Sequence, residues 1–206
     1  MNKIAYSFSL ILIASISSIL SSQNVLSQVR GDIIGTATGG GTPWGKWSNT
    51  VYCPPGTWAG GYSMRVEPSK PHNDDTSMNA IALYCYDRNG SLIQRISPHE
   101  GYWGYWGEAV NCSRNNFFTH FRLKIERPLP EGDDTSVNSV AFRCSDGLML
   151  EGGNGGPFGR WHDWIFPPAN NYKSAICGVK ARTEAPQGSG DDTALNSLEF
   201  TYCLKF

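Results

Sequence analysis

Apolar and polar residues alternate along this chain in short bursts, and the bursts come in pairs. Ile81, Leu83 and Cys85 alternate with Ala82 and Tyr84, and Val140, Phe142 and Cys144 with Ala141 and Arg143. Leu198, Phe200 and Tyr202 alternate with Glu199 and Thr201 in the same way. Successive side chains of a strand point to opposite faces, so period two with aromatic and β-branched residues on one side predicts half-buried strands. A partner precedes each burst: Phe121, Leu123 and Ile125 alternate with Arg122, Lys124 and Glu126, and Tyr62 to Glu67 keeps a similar rhythm. Each pair predicts a hairpin with a longer connection. Beyond Ser27 no stretch sustains an apolar 3.6-residue period, so almost no helix is expected.

The hairpins belong to a larger repeat. Asp74-Asp75-Thr76-Ser77-Met78-Asn79 recurs as Asp133-Asp134-Thr135-Ser136-Val137-Asn138 and as Asp191-Asp192-Thr193-Ala194-Leu195-Asn196. The interval is about 59 residues each time. Glu67, Glu126 and Glu184 stand before the three Asp pairs, and Arg65, Lys124 and Arg182 stand two residues before those glutamates. Trp44-Gly45-Lys46-Trp47, Trp103-Gly104-Tyr105-Trp106 and Phe158-Gly159-Arg160-Trp161 form a second repeated signature. A unit of this length holds about four strands, and a four-stranded sheet with one apolar face is unstable alone in water. Three such sheets bury their faces against one another, which predicts an all-β triangular prism. The expected division is one three-repeat domain over residues 28–206, with repeats of approximately 38–95, 96–151 and 152–206.

One segment stands outside this rhythm. Lys3 precedes an apolar run from Ile4 to Leu20, and Val25-Leu26-Ser27 fits a processing site, so residues 1–27 read as a secretory signal peptide. No second hydrophobic segment follows, and no transmembrane anchor is expected. The destination makes the six cysteines a disulfide framework. The repeat favours pairing inside each unit: Cys53 with Cys85, Cys112 with Cys144, and Cys177 with Cys203. Cys203 lies one residue past the position equivalent to Cys85 and Cys144, where Tyr202 stands, so its bridge must differ in geometry. Asn89 and Asn111 begin Asn-x-Ser sequons and become candidate glycosylation sites. Lys and Arg number 17 against 18 Asp and Glu, a formal net charge of −1, which leaves no electrostatic footprint for nucleic acid. Histidine and cysteine spacings match no metal site, and no cofactor is implied.

Three copies of Asp-Asp-Thr-x-x-Asn, each with an aromatic-Gly-x-Trp segment before it and a strand after it, resemble the vitelline membrane outer layer protein I family over about Ile33 to Phe206. The resemblance implies a β-prism of three Greek-key sheets about a pseudo-threefold axis. It also implies a secreted egg-coat protein, and a transferase activity on N-acetylchito-oligosaccharides without a settled mechanism. Family members carry two further cysteines where Ser174 and Tyr202 stand here.

The repeated carboxylates have two readings. As turn residues, Asp, Thr and Asn accept hydrogen bonds from nearby backbone and fix the approach to a strand, a need that arises once per sheet. As catalysts, Asp75, Asp134, Asp192, Glu67, Glu126 and Glu184 are candidate acids and bases for glycosyl chemistry. Threefold repetition favours the first reading. The same reasoning assigns the aromatic-Gly-x-Trp side chains to the prism interior. Features that break the symmetry are better functional candidates: Trp58 and Trp164, which lie outside the repeated slots, as carbohydrate contacts, and His162-Asp163, which follows only the third Trp. The expected role is a secreted structural component of an extracellular coat, with glycoproteins or glycans of that coat as partners. A carbohydrate-binding module and a weak glycosyl transferase are the alternatives. Edman sequencing of the secreted protein should begin at Gln28; a terminus at Met1 would remove the signal-peptide reading.

Overall fold

The computed structural model describes residues 30–69, 76–128, 135–186 and 194–205. The expected signal peptide therefore lies outside the described residues. Three strands come first: β1 (Ile33–Thr38), β2 (Lys46–Trp47) and β3 (Val51–Tyr52). They are followed by β4 (Trp58–Val66), β5 (Met78–Tyr86), β6 (Leu92–Ile96), β7 (Tyr105–Trp106) and β8 (Val110–Asn111). Next come β9 (Phe118–Ile125), β10 (Val137–Cys144), β11 (Met149–Glu151) and β12 (Arg160–Trp161), and then β13 (Ser174–Thr183) and β14 (Leu195–Leu204). A short 3₁₀ turn at Pro168–Asn170 is the only helical element among the described residues.

These strands form three antiparallel sheets with one plan. The first runs β6-β5-β4-β7, with β8 continuing the line of β7 along β4; the second runs β11-β10-β9-β12. Three consecutive strands and a fourth that returns beside the first make a Greek key. The third sheet, β1-β14-β13-β2 with β3 also on β13, follows the same plan only if the chain is read from its C-terminal hairpin on to its N-terminal strands. Each sheet thus takes its fourth strand from the repeat that follows, and the third takes it from the start of the chain. The fold is a β-prism.

The alternating residues face inward. Tyr62, Leu83, Phe121, Phe142, Leu198 and Phe200 are fully buried. Phe142 stacks on Phe118 at 4.2 Å and meets Tyr62 and Phe200 edge-on at 4.8 and 5.3 Å, so one aromatic cluster joins all three sheets. Such pairs add about 0.5–1.5 kcal/mol each beyond their burial. The Tyr62 hydroxyl donates to the Val140 carbonyl at 2.8 Å and accepts from the Gly152 N–H at 2.6 Å, satisfying a buried polar group across the seam between the first and second sheets.

The repeated motif builds the hairpins. In every sheet the register shifts by one residue at the motif asparagine: Arg65 pairs with Ala80 but Val66 with Met78, Lys124 with Ser139 but Ile125 with Val137, and Arg182 with Ser197 but Thr183 with Leu195. Asn79, Asn138 and Asn196 are therefore bulged residues, which bend the strand and sharpen its twist. Asn79 and Asn138 donate back to Thr76 and Thr135 at 2.6 and 2.5 Å. Ser77, Ser136 and Ala194 enter the bulge with φ of 49°, 54° and 48°. The bulges also meet near the axis, where Ser77 donates to the Asn138 side chain at 2.8 Å and Thr42 bonds both Ser136 and Asn196.

The second signature pins the fourth strands. Gly45, Gly104 and Gly159 have φ of +74°, +76° and +74°, and a Cβ at any of them would strike the backbone at the end of the adjacent long strand. Carbonyls exposed at this turn are taken by the repeated cation: Arg65 reaches Gly104 at 3.1 Å, Lys124 reaches Gly156 at 3.0 Å, and Arg182 reaches Gly45 at 3.4 Å. The aromatic residues do not fill the interior. Trp44, Trp47, Phe158 and Tyr105 are exposed at 40%, 39%, 37% and 79%, and Trp103, Trp106 and Trp161 are half-buried on the outside. The interior is already filled by the long strands, and the two-residue fourth strands sit at the sheet edges.

The disulfides join Cys53 to Cys85, Cys112 to Cys144 and Cys177 to Cys203. The first two cross between sheets, because Cys53 continues the pairing of β3 with β13, and Cys112 that of β8 with β4. The third lies within one sheet, between neighbouring β13 and β14, which is the geometric difference that the displaced Cys203 requires. Gly159→Ala should lower unfolding free energy by about 1–3 kcal/mol or more through forced positive φ. Gly153→Ala, where a Cβ meets nothing within 4 Å, should stay within about 0.5 kcal/mol in the same urea titration.

Candidate functional site

Each corner where a long strand ends against an aromatic-Gly-x-Trp strand is a potential cleft, and the repeats make these corners differently. The corner between β9 and β12 opens into a cleft of about 710 Å³ lined by Glu126, Arg127, Arg160, Trp161, His162 and Asp163. Its counterpart between β4 and β7 is about 480 Å³ and presents Glu67, Pro68, Tyr105, Trp106, Asn154 and Pro157. The backbone plan is shared, but the first cleft adds two arginines, a histidine and an aspartate to its tryptophan. A flat ring beside several hydrogen-bonding groups of both signs suits a polyhydroxylated ligand, which has an apolar ring face and a polar edge.

The wall behind Trp161 is cationic. The Arg122 guanidinium lies 4.5 Å from the centre of the Trp161 ring and 4.8 Å from that of Trp164, and Arg143 lies 5.3 Å from Trp164. Stacking of this kind is worth about 0.5–2 kcal/mol according to how far the pair is desolvated. His120, directly across from Arg143 in the β9–β10 register, is held below the usual histidine range, first by burial and then by the Arg143 charge.

The carboxylate candidates are placed less favourably for catalysis. Glu67 accepts from the Thr76 hydroxyl at 2.8 Å, and Glu126 accepts from the Thr135 hydroxyl at 2.8 Å and its N–H at 3.1 Å. The glutamate thus ties one strand of the hairpin to the bulge in the other, the turn-building role. The Glu184 N–H donates to the Ala194 carbonyl at 2.8 Å, the same backbone closure as in the other two repeats. Asp75, Asp134 and Asp192 lie outside the described residues. Among the described residues no group of three or more His, Cys, Asp or Glu converges as metal ligands.

The two tryptophan candidates separate. Trp58 is 1% exposed; its ring packs 5.3 Å from Phe117 and its N–H donates to the Leu204 carbonyl at 3.0 Å. It plugs one end of the prism and offers no stacking face, which corrects its candidacy as a sugar contact. Trp164 is half-buried on the outer face, already carrying Arg122 and Arg143. The residues missed in the sequence are Arg122 and Arg143. Aligning the repeats would have exposed Arg122, since Ser63 and Lys180 occupy its place.

The sequence profile of vitelline membrane outer layer protein I (VOMI) matches residues 35–205. The chain belongs to this family. It is 38% identical over 170 residues to the vitelline membrane outer layer protein 1 homolog of Mus musculus, covering 81% of each chain. It is 37% identical over 169 residues to the homolog of Homo sapiens, covering 79% of each. Among solved structures, that of an artocarpin–mannopentose complex superposes with a TM-score of 0.54, covering 82% of this chain and 97% of artocarpin, at 13% identity. That likeness is one of fold.

The sequons also differ in setting. Asn89 sits exposed at the tip of the β5–β6 turn, whereas Asn111 pairs with Gly61 inside β8 and its side-chain oxygen accepts from the Tyr86 hydroxyl at 2.8 Å. Protein secreted from eukaryotic cells should carry one N-glycan, removed by Asn89→Gln; a mass loss on Asn111→Gln instead would reverse the assignment.

Proposed function

We propose that this VOMI-family chain is a secreted component of an extracellular or egg-coat layer that engages coat glycans at the β9–β12 corner. The observation that carries the reading is the chemical divergence of that cleft. Its backbone repeats at the β4–β7 corner, yet only this copy gathers Arg127, Arg160, His162 and Asp163 around the repeat tryptophan. Structural demands recur in each sheet and explain what the corners share; a ligand explains what they do not. The relatives are named as homologs of a vitelline membrane outer layer protein, and a prism locked by three disulfides suits residence outside the cell. Among the described residues no helix is long and apolar enough to cross a membrane.

Glycosyl transfer is the weaker reading. It needs two carboxyls about 5–9.5 Å apart facing one sugar. Glu126 and Asp163 both line the cleft, but Glu126 is engaged by the Thr135 hydroxyl and N–H in building its hairpin. Titration calorimetry with chitotetraose and N-acetyllactosamine tests the binding reading. Trp161→Ala should weaken binding by about tenfold or more, the scale of a lost stacking ring, while Trp106→Ala leaves it unchanged. No heat with either sugar, or equal affinity for the Trp161 variant, would overturn the reading.

A further inference from the structure

The outer face of the second sheet carries a continuous stack that the other sheets lack. It runs from Trp161 through Arg122 and Trp164 to Arg143, whose terminal nitrogen rests 3.9 Å from the Met149 sulfur. Among the described residues neither guanidinium has a carboxylate partner. The Nε atoms of both arginines are buried and make no hydrogen bond among the described residues. Glu151 lies across Ala141 from Arg122 in the β9–β10–β11 register, but forms no ion pair with it. Buried or stacked cations are normally paired, because removing charge from water is costly.

The equivalent positions show what pairing looks like in this fold. Lys180, in the place of Arg122 on the third sheet, lies 4.9 Å from the Trp47 ring and is neutralised by Glu199 at 2.9 Å. Arg95 stacks on Trp106 at 4.5 Å in the first sheet and is held by both oxygens of Glu100 at 2.9 and 3.1 Å. In the second sheet the residue across from Arg122 is Ala141, where the third sheet has Glu199. With both Nε atoms buried and no carboxylate partner among the described residues, the terminal nitrogens of the two stacked forks are the groups left for an oxyanion. Arg is suited to this geometry, since its rigid planar fork binds sulfate or carboxylate through paired hydrogen bonds.

We propose that this face is a site for an acidic glycan whose sulfate or carboxylate group is held by Arg122 and Arg143. The inference rests on the glycan reading of the cleft, because Trp161 belongs to both: its residue lines the corner, and its ring carries Arg122. A sugar chain seated in the cleft would therefore run on to the arginines along residues 161–164. That continuity favours a glycan over an acidic peptide as the occupant.

The full secreted chain should be titrated with sulfated, sialylated and unmodified N-acetyllactosamine. At least one acidic form should bind about tenfold more tightly than the unmodified sugar, and which one does so tells sulfate from carboxylate. Arg122→Gln and Arg143→Gln should each bring the acidic-to-neutral affinity ratio towards one; Lys180→Gln should not. Should Arg122→Gln fail to fold, Arg143→Gln carries the test alone. Equal affinity for all three sugars would overturn this proposal and leave the cleft reading standing, whereas no binding of any sugar would overturn both. Poly-glutamate binding as tightly as the acidic sugars would replace the glycan with an acidic peptide.

Discussion

Each sheet has an edge that its own repeat does not complete, and the whole molecule is arranged around filling it. The long hairpin of a repeat leaves the outer side of its first strand open, and an unpaired strand edge is both unsatisfied and prone to pair elsewhere. In the first and second sheets the next repeat supplies the missing pairs through β7–β8 and β12. The third is completed from the other direction, by β1, β2 and β3, which precede the first hairpin and flank β14 and β13. No repeat is complete alone, and stability belongs to the closed ring. The two inter-sheet disulfides tie the donated strands to their own repeat, Cys53 beside β3 to β5 and Cys112 beside β8 to β10.

That requirement explains why the repeated residues are what they are. A two-residue strand has little pairing energy of its own, so the turn before it must be fixed. Glycine permits the close crossing at φ near +75°, and the cation from the receiving strand binds the turn's carbonyls. The asparagine bulge then bends the same hairpin towards the axis, where Thr42, Ser136 and Asn196 join in a buried polar contact. The repeated carboxylates serve this geometry too, since Glu67 and Glu126 hold the threonines that receive the asparagines.

The long strands were legible because period two over eight residues leaves little ambiguity, and the repeat multiplied that signal threefold. Strand donation was not legible. β2, β7 and β12 have two residues each, too few to show a period, and pairing partners distant along the chain leave no local trace. Tryptophan misled for a physical reason: it is the largest apolar side chain, yet its ring face also binds cations, and here Lys180, Arg95 and Arg122 use it on the outside. Trp58 misled in the opposite sense. Its break from the repeat pattern suggested a ligand contact, but the asymmetry it answers is the end of the prism, where it packs beside Cys177 and Cys203.

A pseudo-symmetric scaffold offers its own internal control. Where three equivalent positions carry the same chemistry, the fold accounts for it; where one alone departs and the departure costs stability, something outside the fold must account for it. The stacked cation fits that test. The third sheet balances its cation with Glu199, and the first has Ser63 in that place. The second keeps Arg122 and Arg143 without a carboxylate among the described residues, beside a histidine whose pKa is held down by burial and then by the Arg143 charge. A single Ala141→Glu change would place a carboxylate where the third sheet has one. Ala141 is 2% exposed and pairs directly with Glu151, so a carboxylate there would meet a like charge as well as the cation. Glu199 of the third sheet instead meets the Thr38 hydroxyl, so the two sheets differ in the neighbouring strand as well as in the partner of the cation.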